Sequence, residues 1–475
     1  MEGNHMERPN AWLDYTQEQL ADLDRVCEGY KRFISDNKTE REVCAASIER
    51  ARAAGYRDLK ELVAQGVALK AGDKVYASNH GKGVLLVQLG TEPPEDGLNI
   101  LGAHIDSPRL DVKQNPLDEK NELVTLDTHY YGGIKKYQWV AIPLAIHGVV
   151  CKKDGSTVDV CVGESADDPV FCVSDLLIHL SKDQLAKTAS DVIEGELLDV
   201  IVGNRPVKVE ADAGKKDEGD AAKSPVKAAV LDLLARELGI DEEDLLSAEL
   251  EVVPAGPARD LGLDRSLILG YGQDDSSCAY PSLVAQLECK APSRTAVTIL
   301  VDKEEIGSVG ATGMTSRFFE DAMAEVLDLA GERGPLALRR CLRRSRMLSS
   351  DVSAAYDPSY ASVFEPKNSC YLGHGLTFNK YTGSRGKAGS NDADAEYVAL
   401  IRRCMGDAGV HFQTAELGKV DAGGGGTIAY ILAEYGMDVI DCGVPVLSMH
   451  APWEATSKAD VYEAYRGYKA FLGLR

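Results

Sequence analysis

Two adjacent glutamates, Glu304 and Glu305, are the residues of this chain best placed to do chemistry. They follow the apolar, β-branched run 296–301, which predicts a buried strand of a parallel sheet. In open α/β sheets ligands bind beyond the carboxyl ends of the strands, which is where this pair would lie. Because neighbouring side chains diverge there, one carboxylate could bind a metal while the other accepts a proton. Taken alone, such a pair is more often solvated charge at the start of a helix.

Four other short segments carry residue types that bind metals, each beside an apolar run or a Gly/Pro turn. Their residues are His104 with Asp106, Asp274, Asp351 and His450. A neutral imidazole is a good zinc ligand, and a carboxylate two residues later can hold its other ring nitrogen. An aspartate can also bridge two cations about 3.5–4 Å apart. Each segment alone has an ordinary interpretation: a hydrogen-bonded His–Asp pair, a helix N-cap, a turn aspartate or a buried histidine.

Together, the five segments are far more specific than any one of them. Two histidines, two aspartates and one glutamate can serve as ligands, which leaves one glutamate and one aspartate over. Shared between two cations with one bridging ligand, the set gives each cation three protein ligands and an open position, as in catalytic zinc sites. The remaining glutamate could take the proton of an attacking water and pass it to a leaving amine. Zn²⁺ suits these ligands best, and Co²⁺ or Mn²⁺ are also tolerated.

The elements that must position these residues alternate between helix and strand. Helical periodicity covers 15–70, and βα alternation resumes near residue 267 and lasts to the end of the chain, whereas the region between carries short β-rich runs. At 475 residues the chain is too long for one compact core, so it predicts an α/β domain interrupted by a β-rich insertion. The predicted boundaries are 1–113 and 266–475 for the α/β domain and 114–265 for the insertion.

The composition restricts the partners and the compartment. A formal charge of −23 argues against nucleic acid and anionic membranes as partners. The chain has no uncharged apolar stretch of about 18 residues, so no membrane span is predicted. Its eleven cysteines are scattered without a Cys-x-x-Cys pair, which indicates free thiols in a reducing cytosol. We therefore expect a cytoplasmic protein, and the polar segment 210–225 predicts a mobile loop.

Four local strings carry a resemblance to a known family. They are Gly-Ala-His-Ile-Asp-Ser-Pro-Arg-Leu, Asp-Lys-Glu-Glu-Ile-Gly-Ser, Ser-Ser-Asp-Val-Ser-Ala-Ala and Ser-Met-His-Ala-Pro-Trp-Glu. Their order and content resemble the aspartyl aminopeptidase / aminopeptidase I family of dinuclear zinc metallopeptidases, from about residue 98 to 455 and least in 150–260. The resemblance implies a mixed-sheet catalytic domain, an inserted dimerisation domain, and removal of N-terminal residues from peptide substrates.

The same resemblance implies a ligand role for five residues. His104 and Asp351 would bind one metal ion. Glu305 and His450 would bind the other, and Asp274 would bridge the two. The implied cofactor is therefore a pair of divalent cations per chain, with zinc as the first expectation.

Two further roles and an assembly come with the resemblance. Glu304 would be the general base, and Asp106 would hold the metal-binding histidine that precedes it. Members of this family form tetrahedral dodecamers from dimers through the inserted domain. We therefore expect a homo-oligomer, with a tetrahedral dodecamer as the implied form.

The preferred N-terminal residue of the substrate stays open. In aspartyl aminopeptidases, a lysine shortly after a Gly-Pro pair is associated with acidic substrates. Counted from Gly375, that position holds Asn379, and Lys380 follows it. A histidine pair of that branch falls near His179, but Asp175 stands at the earlier place. Acidic and neutral preferences are therefore both compatible with the sequence.

Other functions and other sites also remain open at this point. A related di-metal amidase or deacylase would act on N-acylated amino acids. Its extra domain follows the Glu-Glu pair, whereas here about 170 residues separate His104 from Asp274. A non-catalytic, self-assembling scaffold is the third possibility. Glycines 423–426 could cradle substrate or form a flexible turn. His179 could reach a neighbouring subunit's active site, although a buried structural role is the expectation.

Overall fold

The computed structural model describes residues 8–207 and 224–475, which fall into two compact units. The units are Met1–Ser107 with Ala258–Met449 and Trp453–Arg475, and Pro108–Pro257 with His450–Pro452. Within the described ranges, no helix has both the length and the apolar character needed to cross a membrane. The dimerisation role predicted for the insertion stays a prediction.

The helices of the first unit begin with two strong capping signals. The side chains of Thr16 and Thr39 accept hydrogen bonds from the backbone N–H three residues later, and the Gln19 and Glu42 side chains reach back in return. The α-helices of this unit are Gln17–Asp36, Glu40–Ala53, Leu59–Gln65, Gln273–Glu288, Phe318–Leu329, Ala337–Arg343, Ala395–Asp407, Ala429–Ala433 and Lys458–Leu472. The region with helical periodicity, 15–70, thus contains the first three.

A mixed sheet forms the centre of the first unit. In the described part of the chain its nine strands lie in the order Arg57–Asp58, Lys74–Asn79, Gly83–Gln88, Thr295–Val301, Leu98–His104, Arg346–Ser350, Asp438–Gly443, Leu376–Asn379 and Phe412–Thr414. The four strands from Thr295–Val301 to Asp438–Gly443 are mutually parallel. The strands on either side of this group, Gly83–Gln88 and Leu376–Asn379, run antiparallel to it. The carboxyl ends of the four parallel strands therefore meet at one edge.

Helices cover both faces of this sheet. Leu101 and Leu300 pack on one face with the first two helices and the last, whereas Ile100 and Ile299 pack on the other with Phe318–Leu329. Successive strand residues point to opposite faces, so a strand covered on both sides must be apolar throughout. The predicted α/β fold with a mixed sheet is confirmed.

Smaller sheets complete each unit. In the described residues of the first unit, five strands follow in the order Arg259–Leu261, Leu267–Gly270, Glu454–Ser457, Pro445–Leu447 and Ser353–Ala354. The described part of the second unit has an antiparallel sheet of seven strands in the order Thr157–Val162, Leu144–Cys151, Ala248–Pro254, Arg109–Lys120, Leu123–Tyr131, Val200–Gly203 and Cys172–Val173. Its α-helices are Lys182–Leu185 and Pro225–Leu233, the latter followed by a π-helical turn at Leu234–Leu238. The loop predicted at 210–225 lies outside the described residues as far as position 223.

Candidate metal centre

The carboxyl edge of the central sheet brings three of the predicted segments together. His104 is the last residue of its strand and lies opposite Val301, three residues before Glu304. Asp351 directly follows the strand Arg346–Ser350, which pairs with the other side of the same central strand. Because these strands are parallel, the residues that follow their ends share one edge.

The start of a helix adds the fourth segment. Asp274 belongs to the first turn of Gln273–Glu288, where its backbone angles are not helical. Its Oδ1 lies 3.1 Å from Nε2 of His104, and Oδ1 of Asp351 lies 3.9 Å from the same nitrogen. Ligand atoms of these three residues all lie within 4.8 Å of one another. The interpretation of Asp274 as a simple N-cap is therefore insufficient, because its carboxylate faces the histidine.

These distances fit a metal site. Zinc bond lengths of about 2.0–2.2 Å to nitrogen and oxygen place neighbouring donor atoms about 3.4 Å apart in a tetrahedron. The two donor separations at His104 fall on either side of that value. A second group, formed by His104, Glu304 and Glu305, also has its ligand atoms within 4.8 Å of one another. The centre thus offers one imidazole and several carboxylates to a small volume, which suits divalent cations of the zinc type.

Asp106 connects the histidine to the glutamate pair. Its backbone oxygen lies 3.0 Å and its Oδ1 3.4 Å from Nδ1 of His104, so Nδ1 carries a hydrogen and Nε2 is the nitrogen that could face a cation. Its two carboxylate oxygens also accept hydrogen bonds from the backbone N–H groups of Glu304 and Glu305, at 3.1 and 3.2 Å. The predicted contact with His104 is present. The grip on the glutamate turn is an additional function of the same carboxylate.

The glutamate turn is short and sharply bounded. Lys303 and Gly307 have φ of 73° and 94°, on either side of the 3₁₀ turn Glu304–Ile306. These left-handed residues reverse the chain at both ends, so the two glutamates leave the strand as a compact turn. Both side chains are half-buried. Oε2 of Glu304 lies 4.0 Å from Nε2 of His104.

The electrostatics of the centre reflect an excess of buried negative charge. Burial alone would lower the pKa of His104, but hydrogen bonds to Asp106 and Asp274 raise it well above its usual value. Burial, reinforced by the charge of Glu304, raises the pKa of Asp351 well above its ordinary range. Carboxylates held this close are stabilised in their charged form by a cation. The charge balance and the donor geometry therefore both indicate a site for divalent cations.

Two buried carboxylates support the centre without having been predicted to do so. Oδ2 of Asp275 accepts a hydrogen bond of 3.3 Å from the backbone N–H of His104. Oε2 of Glu454 accepts one of 3.1 Å from the backbone N–H of Asp274. Both side chains are almost completely buried. The signals in the sequence were weak, since Asp275 is simply the neighbour of Asp274 and Glu454 ends the string that contains His450.

Residues 33–472 match the family described as aminopeptidase I zinc metalloprotease (M18). The chain belongs to this family. A probable M18 family aminopeptidase 1 of Clostridium acetobutylicum is 58% identical over 466 residues, covering 98% of each chain. An M18 aminopeptidase structure from Thermotoga maritima has a TM-score of 0.91 at 41% identity, and covers 99% of this chain and 100% of that one. Aminopeptidase I from C. acetobutylicum has a TM-score of 0.89 at 56% identity, with 98% and 99% covered.

The predicted resemblance is thereby confirmed, and the protein is an M18 family aminopeptidase, a metallopeptidase. A solved Saccharomyces cerevisiae mApe1 dodecamer has a TM-score of 0.75 at 21% identity, covering 95% of this chain and 97% of that one, which shows the shared fold. The family therefore favours the aminopeptidase over the related amidase and the non-catalytic scaffold.

His450 of this M18 aminopeptidase belongs to the second unit. Its Nδ1 lies 2.9 Å from the carbonyl oxygen of Gly133, in the same unit. A carbonyl only accepts, so Nδ1 carries a hydrogen and donates it, which makes Nε2 the nitrogen that could face a metal ion. That arrangement is the one that metal-binding histidines commonly adopt. Its role as a ligand stays a prediction.

The glycine cluster 423–426 lies where backbone segments of the first unit pack closely together. A Cβ atom on Gly423 would lie 1.7 Å from the carbonyl oxygen of Leu417, and one on Gly424 would lie 2.0 Å from that of Gly383. The N–H of Gly383 also donates to the carbonyl of Gly425 at 2.9 Å. Close approach of backbone segments therefore requires these glycines. Contact of this loop with substrate stays a prediction.

The expectation of a buried His179 is wrong. The residue lies on the 3₁₀ turn Ile178–Leu180 and is exposed. Leu177, Ile178 and Leu180 beside it are also exposed, by 54%, 68% and 68%. The apolar neighbours that indicated burial therefore form an apolar surface instead.

Proposed function

We propose that this M18 aminopeptidase hydrolyses the N-terminal peptide bond with two divalent cations, and that Glu304 is the general base. The observation that supports the proposal is the convergence of His104, Asp274 and Asp351 beside the Glu304–Glu305 turn, with Oε2 of Glu304 4.0 Å from Nε2 of His104. A general base must lie within hydrogen-bond reach of the reacting water, and its carboxylate must not itself be bound to a metal ion.

The ligand set divides between two cations. His104, Asp274 and Asp351 would hold one of them. Asp274 and Glu305 would contribute to the second, for which His450 remains the ligand predicted from the resemblance. Zinc suits imidazole and carboxylate donors, with cobalt or manganese as substitutes. When bound, the cations supply Lewis-acid activation of water and of the scissile carbonyl group.

The protein's own groups handle the proton. The Glu304 carboxylate accepts the proton of the attacking water and then delivers it to the leaving amine. Its backbone is fixed by Asp106 through the N–H bond of 3.1 Å, and its side chain is half-buried rather than sealed from solvent. Asp106 therefore acts as a positioning residue. Its carboxylate sets where the base stands and which nitrogen of His104 is available.

The variant Glu304→Gln tests this proposal. It keeps size and hydrogen bonding but cannot accept a proton, so we expect kcat to fall by about 10²–10⁴-fold. Metal content, measured by elemental analysis, should be unchanged. Glu325→Gln on the surface helix Phe318–Leu329 is the matched control and should keep full activity. Normal turnover by Glu304→Gln would refute the assignment of the base.

We infer a preference for neutral N-terminal residues. Asn379 is buried, its Oδ1 accepts from the Ser353 hydroxyl at 3.1 Å, and its Nδ2 donates to the Ala415 carbonyl at 3.0 Å. The adjacent Lys380 forms an ion pair with Asp392, which also pairs with Lys387. The position associated with acidic substrates thus holds a neutral amide that is already engaged.

A pair of chromogenic substrates separates the preferences. Leucyl and aspartyl anilides should differ in kcat/KM by at least about tenfold in favour of leucine, because an acidic side chain would be buried without a partner. A higher kcat/KM for the aspartyl substrate would reverse the inference. The N-acetylated leucyl substrate should not be cleaved, and its cleavage would instead indicate the related amidase.

A homo-oligomer is the assembly that we propose. The exposed apolar side chains Leu177, Ile178, Leu180 and Leu185 cluster within nine residues of the second unit. Apolar patches of this kind commonly mark protein–protein contacts. The dodecamer of the solved S. cerevisiae relative makes a tetrahedral dodecamer the first form to test, by light scattering. All eleven cysteines lie in the described ranges and none forms a disulfide bond there, which supports a cytoplasmic location.

A further inference from the structure

The second unit contains an apolar cavity between its sheet and the helix that packs on that sheet. The helix Pro225–Leu233 contacts the seven-stranded sheet and continues into the π-helical turn Leu234–Leu238. A cavity of about 520 Å³ lies beside them. Leu126 and Ile146 line it from the sheet, and Leu234 lines it from the turn. All of the residues that line it belong to this one compact unit.

The helix lies close to the sheet near its beginning but not at its end. Val226 is fully buried, and Cγ2 of Val230 lies 2.7 Å from the place that a Cβ atom on Gly203 would take, so a glycine permits this approach. Leu233 also lines the cavity, yet it is 46% exposed. The π-helical turn follows directly, and such turns are rare and frequent at functional sites. The cavity therefore lies where the helix becomes irregular.

The size and the lining of the cavity fit a small apolar molecule. Close-packed protein interiors contain few voids larger than a water molecule. An engineered apolar cavity of about 150 Å³ is large enough to bind benzene. Pockets that bind small molecules commonly measure about 300–1,000 Å³, a range that includes this cavity of about 520 Å³. All of the described lining residues except Asp168 and Glu237 are apolar, so the cavity favours a hydrocarbon over water.

The two polar lining residues are both carboxylates. Oδ2 of Asp168 accepts hydrogen bonds from the backbone N–H groups of Ser165 and Gly163, at 3.0 and 3.2 Å, and these bonds lower the pKa of Asp168. Glu237 is exposed and accepts from Nε of Arg236 at 2.9 Å. Among the described residues that line the cavity, none is Lys, Arg or His. The polar part of the lining therefore attracts a cation and repels an anion.

We propose that this cavity binds an apolar molecule that carries a protonated amine. The hydrocarbon part would lie against the leucines and valines of the lining, and the amine would lie beside Asp168. None of the predicted metal ligands, nor the predicted base, is among the described lining residues, so the site is additional to the candidate metal centre. A ligand that binds the folded protein and not the unfolded chain stabilises the fold by mass action.

Three amphiphiles with the same alkyl chain test the chemistry of the ligand. Decylamine is cationic at neutral pH, decanol is neutral and decanoate is anionic. Below the concentrations at which they form micelles, decylamine should bind the full-length protein by calorimetry and raise its Tm. Decanoate should bind at least about tenfold more weakly, with decanol between the two. The absence of decylamine binding, or an equal Kd for decanoate, would overturn the proposal.

Variants that fill the cavity locate the binding. Leu234→Trp adds a larger side chain to the lining and should raise the Kd of decylamine and decanol by about tenfold or more. Leu238→Trp is a second filling variant on the same turn, for use if the first does not fold. The matched control is Ala235→Trp, because Ala235 is exposed and does not line the cavity. Equal decylamine binding by a folded filling variant and the control would overturn the proposal.

A second pair of variants isolates the charge. Asp168→Asn keeps one acceptor oxygen for both backbone N–H bonds but removes the charge. It should raise the Kd of decylamine by about threefold and leave that of decanol unchanged. Asp167→Asn, on an exposed neighbour outside the lining, should bind both as the wild type does. Unchanged decylamine binding in Asp168→Asn would refute the amine contact.

Light scattering separates this ligand from a second copy of the chain as the occupant. The mass of the protein should be the same with and without decylamine, because the proposed ligand fills a cavity within one unit. A lower mass with decylamine would show that another copy covers this cavity in the assembly, and would overturn the proposal.

Discussion

The candidate metal centre of the first unit and the pair His147–Cys161 of the second unit are assembled in opposite ways. In the first unit, His104 and Asp274 are 170 residues apart, and parallel strands that end at one edge bring the group together. In the second unit, His147 and Cys161 are 14 residues apart and meet through the register of one antiparallel pair. A long-range site depends on the whole sheet, whereas a local one depends on a single strand pairing.

The long-range group also needs more internal support. Asp106, Asp275 and Glu454 each accept backbone N–H bonds from the segments that carry the predicted ligands and base. In the second unit one such bond, from the backbone N–H of Gly256, orients the Glu164 carboxylate beside His147. Segments that arrive from distant parts of the chain have no common backbone geometry, so buried carboxylates fix their mutual positions. Mutations in the two groups should therefore differ in how far their effects spread.

The largest effect is expected from Asp351→Ala. The side chain is a predicted ligand of the first cation, so its loss removes a metal bond and the cation's contribution to the transition state. We expect activity to fall by about a thousandfold or more, together with the metal content. Asp328→Ala, on the exposed face of Phe318–Leu329, is the control and should behave as the wild type. Full activity with unchanged metal content in Asp351→Ala would contradict the assembly by strand ends.

The second effect concerns how far the buried charge extends along the same edge. Asp441 lies on the strand Asp438–Gly443, and its Oδ1 accepts the Thr427 hydroxyl at 2.5 Å. Within the described residues its Oδ2 has no hydrogen-bond partner. Burial raises the pKa of Asp441 to about 7, and the charge of Glu304 adds to this. The folded protein therefore holds a proton on Asp441 that the unfolded chain releases near pH 4.

This difference predicts the sign of a pH effect. Because the native pKa is raised, the group favours folding below about pH 4, and its contribution is lost as the pH rises towards 7. The upper bound of that loss is about 4 kcal/mol, from about three units of pKa difference. Asp441→Asn cannot ionise, so its stability relative to the wild type should rise between pH 4 and 8. Urea unfolding of the metal-free proteins at several pH values measures this difference in the free energy of unfolding. If that free energy varied with pH in the same way in both proteins, Asp441 would not titrate as a buried group.

The contrast between the units also explains what the sequence could predict. His104, Glu304 and Asp351 end or follow apolar runs, so a parallel sheet was enough to predict their meeting. Asp275 has no such signal, because its contact with the backbone of His104 crosses 171 residues. The pair His147–Cys161 depends on strand register, which a turn's length and geometry determine. Neither contact leaves a periodic trace in the chain.

The apolar stretch around His179 shows a different kind of error, in which a segment expected to be buried is exposed. Its leucines and isoleucine have the composition of a buried segment, yet the structure leaves them exposed. Composition predicts only that apolar side chains will be buried. It does not say whether the same chain or another copy of it buries them. A surface of the kind that we propose for assembly therefore looks like core when only the sequence is known. The carboxyl edge of the central sheet did not mislead in this way, because polar residues follow its strands.

The smallest of the three effects, Asp106→Asn, tests the positioning role most sharply. The two oxygens of Asp106 accept N–H bonds from Glu304 and Glu305, but an asparagine has only one acceptor oxygen. Its NH₂ group would face one of the two N–H donors, and the glutamate turn would shift. Loss of such a supporting contact costs about 10–100-fold in activity or metal affinity.

The measurement is kcat and the metal dissociation constant, compared with Asp96→Asn, a surface aspartate paired with Arg344. Excess metal should restore occupancy in Asp106→Asn without restoring kcat, because the base remains misplaced when the ligands are full. Complete recovery of kcat by metal would instead limit Asp106 to orienting His104. In that case the long-range site would need no more support than the local one, and the contrast between the two units would fail.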